Sequence, residues 1–295
     1  MKKRNLLKSI AIISTIIFIS GCVNKSSLPR KSIGLQVNSP KEGTIAVKEI
    51  EGIDDSDECY GYGIYTPDGD YLHDRISNHG STEDIIVKFH LSNDLGENHV
   101  FTLVVLDNYK QIPFVIDNQE GKNYSVELAN KNETDIPINL GKMNAGRHDV
   151  VFLVFVDAII QPAEDSVIVG NSAIRAIFII DSDNSYTNPV MATNVYSESD
   201  DDSLNLQVSD NDEYELSISS SDEDQITSII VFDNYEEIES YTINLKSKTK
   251  TVIPFSYHMP SDSATHVISA VALSNADGSE NDTPITSKFS DEIWH

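Results

Sequence analysis

Four groups of residues carry side chains whose type and spacing suggest chemistry. His73 and His79 fall close to Asp70 and Asp74, and imidazole nitrogens with carboxylate oxygens are the donors that hold a transition metal. The spacing matches no established metal-ligand motif, so a metal-dependent enzyme built on these residues is an alternative reading. Three acidic loops form the second group: DSDNS at 181–185, SESDDDS at 197–203 and NADGSEND at 275–282. Calcium favours clusters of carboxylate and carbonyl oxygens, which makes Asp181, Asp183, Asp200, Asp201 and Asp202 candidate ligands for Ca2+. None of the loops has the glycine and terminal glutamate of a calcium loop, and such runs ordinarily form solvated, mutually repelling surface. The third group is the aromatic stretch Tyr60, Tyr62, Tyr65 and Tyr71. Tyrosine gives large contact area at low entropy cost, so these four are candidate binding residues. The last is Cys59, flanked by Asp55, Asp57 and Glu58. No cation stands beside it to favour the thiolate, and it reads as structural. HExxH, GxSxG, P-loop, GxGxxG and CxxC patterns are all absent. No reaction is assigned, and the chain is expected not to be an enzyme.

The strongest chemical signal lies in residues 1–22, MKKRNLLKSIAIISTIIFISGC. A basic head (Lys2, Lys3, Arg4, Lys8) precedes a short apolar run and a small-residue exit, the pattern of a cleaved secretory signal. A membrane-spanning helix needs about 20 apolar residues, more than this run supplies. The ending Ile19-Ser20-Gly21-Cys22 resembles the lipobox of bacterial lipoproteins. The resemblance implies cleavage after residue 21 and a diacylglyceryl group on Cys22, which anchors the chain in the cell membrane on its extracytoplasmic side. Two acyl chains hold a protein stably where one does so only marginally. With Cys22 so used, no second cysteine remains to form an intrachain disulfide with Cys59, and stability must come from packing and strand pairing.

Residues 22–43 carry Lys25, Arg30, Lys31 and Lys41 against Glu42 alone, and read as a flexible tether whose cations are drawn to anionic headgroups. The rest is acidic. The chain has 21 Lys and Arg against 47 Asp and Glu, a net charge of -26. Loss of the four cations in the signal makes it -30. Such a surface excludes nucleic acid and anionic polymers as partners and favours cations or basic surfaces.

Beyond the tether the chain reads as strands. Val87, Phe89 and Leu91 alternate with polar residues, the period of a strand with one wet face. Residues 100–106 are more continuously apolar and read as a central strand, and a further strand-like run falls at 150–157. Further runs fall at 44–51, 112–116, 124–128, 136–140, 173–180, 204–208, 213–218, 227–232, 239–245, 251–257, 266–273 and 285–294. No amphipathic helix follows the signal. Residues 52–83 form a long polar insertion, within which PDGD at 67–70 predicts a hairpin between Ile64-Tyr65 and Tyr71-Leu72.

An internal repeat organises these strands. VVLDNYKQI at 104–112 matches IVFDNYEEI at 230–238, and residues 136–158 align with 253–276, placing His148 opposite His266. Two copies in one order predict two domains of one fold. The shared DNY is expected to shape a turn, with tyrosine capping the edge of the core. The class is all-β, with two tandem immunoglobulin-like or fibronectin-like β-sandwiches, at 44–181 and 190–295 with a linker at 182–189. AGRHDVVFLVFVDA at 145–158 resembles the penultimate strand of bacterial adhesion-type immunoglobulin-like modules. The expected function is binding or assembly at the bacterial cell envelope, toward an unidentified envelope protein or polymer. The alternatives are an accessory subunit or spacer of a membrane complex, and the metal-dependent envelope enzyme above.

Overall fold

The computed structural model describes residues 33–38, 47–49, 59–73, 75–159, 170–181, 204–209, 213–219, 224–262, 264–274 and 286–295. The signal, Cys22, the linker 182–189, the acidic loop 275–282, Asp74, Asp183, Asp200, Asp201 and Asp202 lie outside the described residues. Among the described residues the regular structure is all strand.

In chain order the strands begin with β1 (Val37–Asn38), β2 (Val47–Glu49), β3 (Cys59–Tyr65), β4 (Ile76–His79) and β5 (Ile86–Asp94). They continue with β6 (His99–Asp107), β7 (Lys110–Gln111), β8 (Phe114–Ile116), β9 (Gln119–Gly121) and β10 (Asn123–Leu128). Next come β11 (Asn132–Asn139), β12 (Gly146–Val156), β13 (Ser172–Ile180), β14 (Leu204–Val208) and β15 (Glu213–Ser219). The last are β16 (Gln225–Asp233), β17 (Glu236–Leu245), β18 (Lys250–Ser256), β19 (Val267–Ser274), β20 (Thr286–Phe289) and β21 (Ile293–Trp294).

These strands form four sheets. A seven-stranded sheet runs β1-β10-β6-β12-β13-β4, with β7 on β6. A six-stranded sheet runs β3-β5-β11-β8-β9, with β2 on β11. The three-stranded sheet is β14-β15-β18, and the five-stranded sheet is β17-β16-β19-β20 with β21 on β19. The order β10-β6-β12-β13 thus recurs as β17-β16-β19-β20, and β3-β5-β11 recurs as β14-β15-β18.

Strand parity explains the layering, because successive side chains of a strand point to opposite faces. On β6, Phe101, Leu103 and Val105 join β5 and β11 residues such as Phe89, Leu91 and Ile136 in a first core. Phe89 of the six-stranded sheet stacks on Phe152 of the seven-stranded sheet with ring centroids 5.8 Å apart. Leu216 and Phe255 of the three-stranded sheet meet Ile229, Val231 and Ala270 of the five-stranded sheet in another core. The opposite parity builds a third. Val104 and Leu106 of β6, with Leu153 and Phe155 of β12, pack against Ile230 and Phe232 of β16 and Val271 and Leu273 of β19. The seven- and five-stranded sheets are therefore covered on both faces, which is why their central strands are apolar at nearly every position. Full burial of each such side chain contributes about 1.5–3 kcal/mol relative to exposure.

Two segments differ from the reading of the sequence. Residues 33–38, expected within the tether, lie along the first sheet pair. Ile33 is 3% exposed, its N–H donates to the Ile159 carbonyl at 2.9 Å, and β1 runs parallel to Ser125 and Val126 of β10. Ile33, Leu35 and Val37 form a short period-two apolar pattern, and all three pack into or against the core between the sheet pairs. The polar insertion 52–83 holds the edge strand β3 and the strand β4, which pairs in parallel with β13. The PDGD hairpin forms as expected: Tyr65 bridges Tyr71, and Leu72 N–H donates to the Ile64 carbonyl at 2.8 Å.

Candidate functional site

The four tyrosines divide by strand parity. Tyr60, Tyr62 and Ile64 of β3 point inward. Tyr60 is 1% exposed, its ring lies 5.7 Å from that of Phe101, and its hydroxyl contacts the Gly170 carbonyl and Ser172 Oγ at 2.5 Å each. Tyr62 packs on the same core. Tyr60 is structural, a correction to its candidacy as a binding residue, because a ring closed into a core presents nothing to a partner, and Tyr62 is half-buried on the same inner face.

Tyr65 and Tyr71 lie on the opposite face. Tyr65 pairs with Lys88 across the strands, and Gly63 pairs with His90. The absent side chain at Gly63 leaves room for the Tyr65 ring, since a Cβ there would stand 2.9 Å from Tyr65 Cε2. The Tyr65 and Tyr71 rings lie 5.2 Å apart, tilted by 49°. Lys88 Nζ sits 5.7 Å from the Tyr65 ring centroid, a cation–π distance. His90 is edge-on to Tyr65 at 6.4 Å, and Tyr71 Oη meets His73 Nδ1 at 3.2 Å. Asp135 of β11 stands beside both basic groups, 2.9 Å from His90 Nδ1 and 3.4 Å from Lys88 Nζ. Partial burial works to raise the Asp135 pKa, but His90 and Lys88 outweigh it and hold the carboxyl below its ordinary range. Ile86, on the same side of β5, is 45% exposed. The outer face of the six-stranded sheet thus carries a mixed aromatic, cationic and anionic patch. Lys88, His90 and Asp135 were not among the residues singled out from the sequence. Their signal was the polar positions between Val87, Phe89 and Leu91.

Among the described residues His73 and His79 do not come together with Asp70 in a metal-binding group, and Asp74 lies outside them. His73 turns to Tyr71, while His79 Nε2 meets Ser77 Oγ at 2.9 Å and its ring packs on Phe178. Burial, outweighing the opposing pull of Glu83, lowers the His79 pKa. Among the described residues no group of three or more His, Cys, Asp or Glu side chains could hold a metal ion. Asp181 is exposed at the end of β13, and the other candidate calcium ligands lie outside the described residues.

Aspartate–histidine pairs recur elsewhere. His148 Nδ1 is 2.8 Å from Asp107, His266 Nδ1 is 2.7 Å from Asp233, and His99 Nδ1 is 2.6 Å from Asp157. Nucleophilic catalysis requires a hydroxyl or thiol on the other imidazole nitrogen. His148 Nε2 instead faces the Asn144 carbonyl at 2.9 Å, and His266 Nε2 faces Asp262 at 3.0 Å. The first two pairs hold the repeated DNY turns. In each, asparagine and tyrosine take positive φ, 47° and 65° at Asn108 and Tyr109, 48° and 64° at Asn234 and Tyr235, as a two-residue type I′ hairpin requires. A bulky residue there is strained by roughly 1–2 kcal/mol. Both tyrosines lie in the core between the sheet pairs.

Next to these turns the repeat meets itself. Gln111 and Glu237 occupy equivalent positions in VVLDNYKQI and IVFDNYEEI. Gln111 N–H donates to Glu237 Oε2 at 2.7 Å, and Glu237 N–H donates to Gln111 Oε1 at 2.7 Å. Reciprocal contacts between equivalent positions are the signature of two-fold, isologous packing.

No family model matches the chain, and no curated protein matches it. Among solved structures the chain is similar to the CupB2 chaperone of Pseudomonas aeruginosa (10% identity, 73% of this chain and 95% of that chain, TM-score 0.25). It is also similar to the Escherichia coli chaperone DraB (10% identity, 80% and 96%, TM-score 0.28). A Salmonella enterica SafA pilin–SafB chaperone structure gives 11% identity over 84% and 99%, with TM-score 0.27.

Proposed function

We propose that this chain is a lipid-anchored, extracytoplasmic binding or assembly module of the bacterial envelope, made of two tandem immunoglobulin-like sandwiches. The reading of two domains is supported by the recurrence of strand order in the two sheet pairs. The anchoring is supported by the basic head, apolar run and Cys22 of residues 1–22. The observation that carries a binding role is the outward patch of Tyr65, Tyr71, His73, Lys88, His90 and Asp135. It combines aromatic faces with charges of both signs on a rigid sheet, a composition suited to protein or polymer recognition. The partner is an envelope protein or wall polymer, and the bilayer is held through Cys22.

Two variants test the reading together. Cys22→Ser, followed by fractionation and labelling with a radioactive fatty acid, is expected to lose the label and release the chain from the membrane. Tyr65→Ala with Tyr71→Ala is expected to keep the label and lose partner recovery. Unchanged membrane retention in the first, or unchanged recovery in the second, overturns the corresponding half. A second reading, a spacer subunit of a membrane complex, is favoured by the apolar core shared between the sheet pairs, which stiffens the chain. In that case the patch variant binds as wild type does.

A further inference from the structure

We propose that Glu292, the Tyr235 hydroxyl and the Ala158 carbonyl form a proton-operated latch between the two sheet pairs, closed while Glu292 carries a proton and loosened when it ionises. Tyr235 stands in the turn after β16 and is 0% exposed. Its ring packs on Phe155 of β12 at 4.8 Å. Its hydroxyl donates to the carbonyl of Ala158 and lies 2.7 Å from Glu292 Oε1. A phenol has one hydrogen, and a carbonyl oxygen only accepts. With that hydrogen committed to Ala158, the contact to Glu292 is a hydrogen bond only if the carboxyl supplies its own proton. The satisfied chain therefore runs from the Glu292 carboxyl O–H to the Tyr235 oxygen, and from the Tyr235 O–H to Ala158, crossing from one sheet pair to the other.

The ionised state has a donor waiting. Trp294 Nε1 is buried, and its N–H lies beside the Glu292 carboxyl, favouring the ionised form. On ionisation, the carboxylate draws on the indole N–H and the phenol hydrogen, and the Ala158 carbonyl loses its donor. Ala158 adjoins Ile159, whose carbonyl accepts from Ile33 N–H, so the same turn also holds residues 33–38. The groups acting on Glu292 are the Tyr235 phenol, the Trp294 indole and the neighbouring Asp291. Across the interface it meets the Ala158 turn through Tyr235. Burial first, helped by Asp291 and opposed by Tyr235 and Trp294, pushes the Glu292 pKa up to about 7. The folded pKa lies above the ordinary carboxyl value. Stability from this group is therefore present at acid pH and declines as pH rises through the ordinary and then the folded value.

Trp294 is the single tryptophan of the chain, and it packs against the shared core, so its emission reads the latch directly. In a pH titration of the full chain in detergent, wild type is expected to show an emission transition centred near pH 7. Glu292→Gln, whose amide N–H donates to Tyr235 without ionising, is expected to lose that transition. His266→Gln is expected to retain it, which excludes the nearby histidine as its source. If Glu292→Gln does not fold, carboxyl carbon NMR of the wild-type chain reads the same titration. A Glu292 carboxyl ionising at the ordinary glutamate value, or an unchanged emission transition in Glu292→Gln, overturns the proposal.

Discussion

Replacing Tyr235 with glycine sets two opposed effects against each other. Glycine takes positive φ freely, so the substitution removes a backbone strain of about 1–2 kcal/mol at φ 64°. It also removes a ring that is 0% exposed and packs on Phe155 at 4.8 Å. Truncating a buried aromatic side chain costs about 3–5 kcal/mol. Loss of the hydroxyl orphans the Ala158 carbonyl, at about 1–3 kcal/mol for a buried group left unpaired. Packing wins, and Tyr235→Gly is expected to lower stability by about 2–7 kcal/mol despite the better turn. Urea unfolding followed by Trp294 emission gives the number. Tyr235→Phe separates the terms, since it keeps the ring and the strain and loses only the hydroxyl. A Tyr235→Gly variant as stable as wild type, or more stable, would mean that the tyrosine serves the turn alone and that the core between the sheet pairs does not form.

Two other perturbations follow from the same geometry. Burial works to lower the His266 pKa, but Asp262 and Asp233 outweigh it and the net shift is upward. The stability this pair contributes is thus fully present below the ordinary histidine value of about 6.5 and declines as pH rises through the folded value. His266→Gln is expected to flatten the dependence of the urea midpoint on pH in that window, and an unflattened curve would refute the assignment. Gly63→Val places a Cβ 2.9 Å from the Tyr65 ring and swings that ring off the patch. The expected cost in stability is under about 1 kcal/mol, because the ring moves into solvent, while partner recovery falls as in Tyr65→Ala. Full recovery would remove Tyr65 from the binding surface.

Much of the architecture was legible because period-two alternation is a local property. Val87, Phe89 and Leu91 mark β5, and the run 204–208 marks β14 with both ends correct. The fully apolar run of β6 was legible as a central strand, and that of β12 as a strand. What covers their second face was not, because that depends on how one copy of the repeat lies against the other, and no local pattern encodes it. The Gln111–Glu237 exchange shows the same thing: two polar residues of ordinary type, meaningful only once equivalent positions meet across the interface. The burial of Tyr60 was not legible for a simpler reason. Gly61 and Gly63 made 52–83 read as loop, which hid the parity that sends Tyr60 and Tyr62 inward and Tyr65 outward. Ile33, Leu35 and Val37 were masked in the same way by Ser, Pro and Lys neighbours.

The central claim is that the chain works by binding at the envelope through the Tyr65–Tyr71 face. It is tested most directly by placing a photo-crosslinking residue at position 71 in the full-length protein and illuminating intact cells. The account predicts a discrete crosslinked product, an envelope protein or polymer, that is lost in the Tyr65→Ala background and absent when the probe sits at the exposed Val252. No product at position 71, or the same product from both positions, would contradict it.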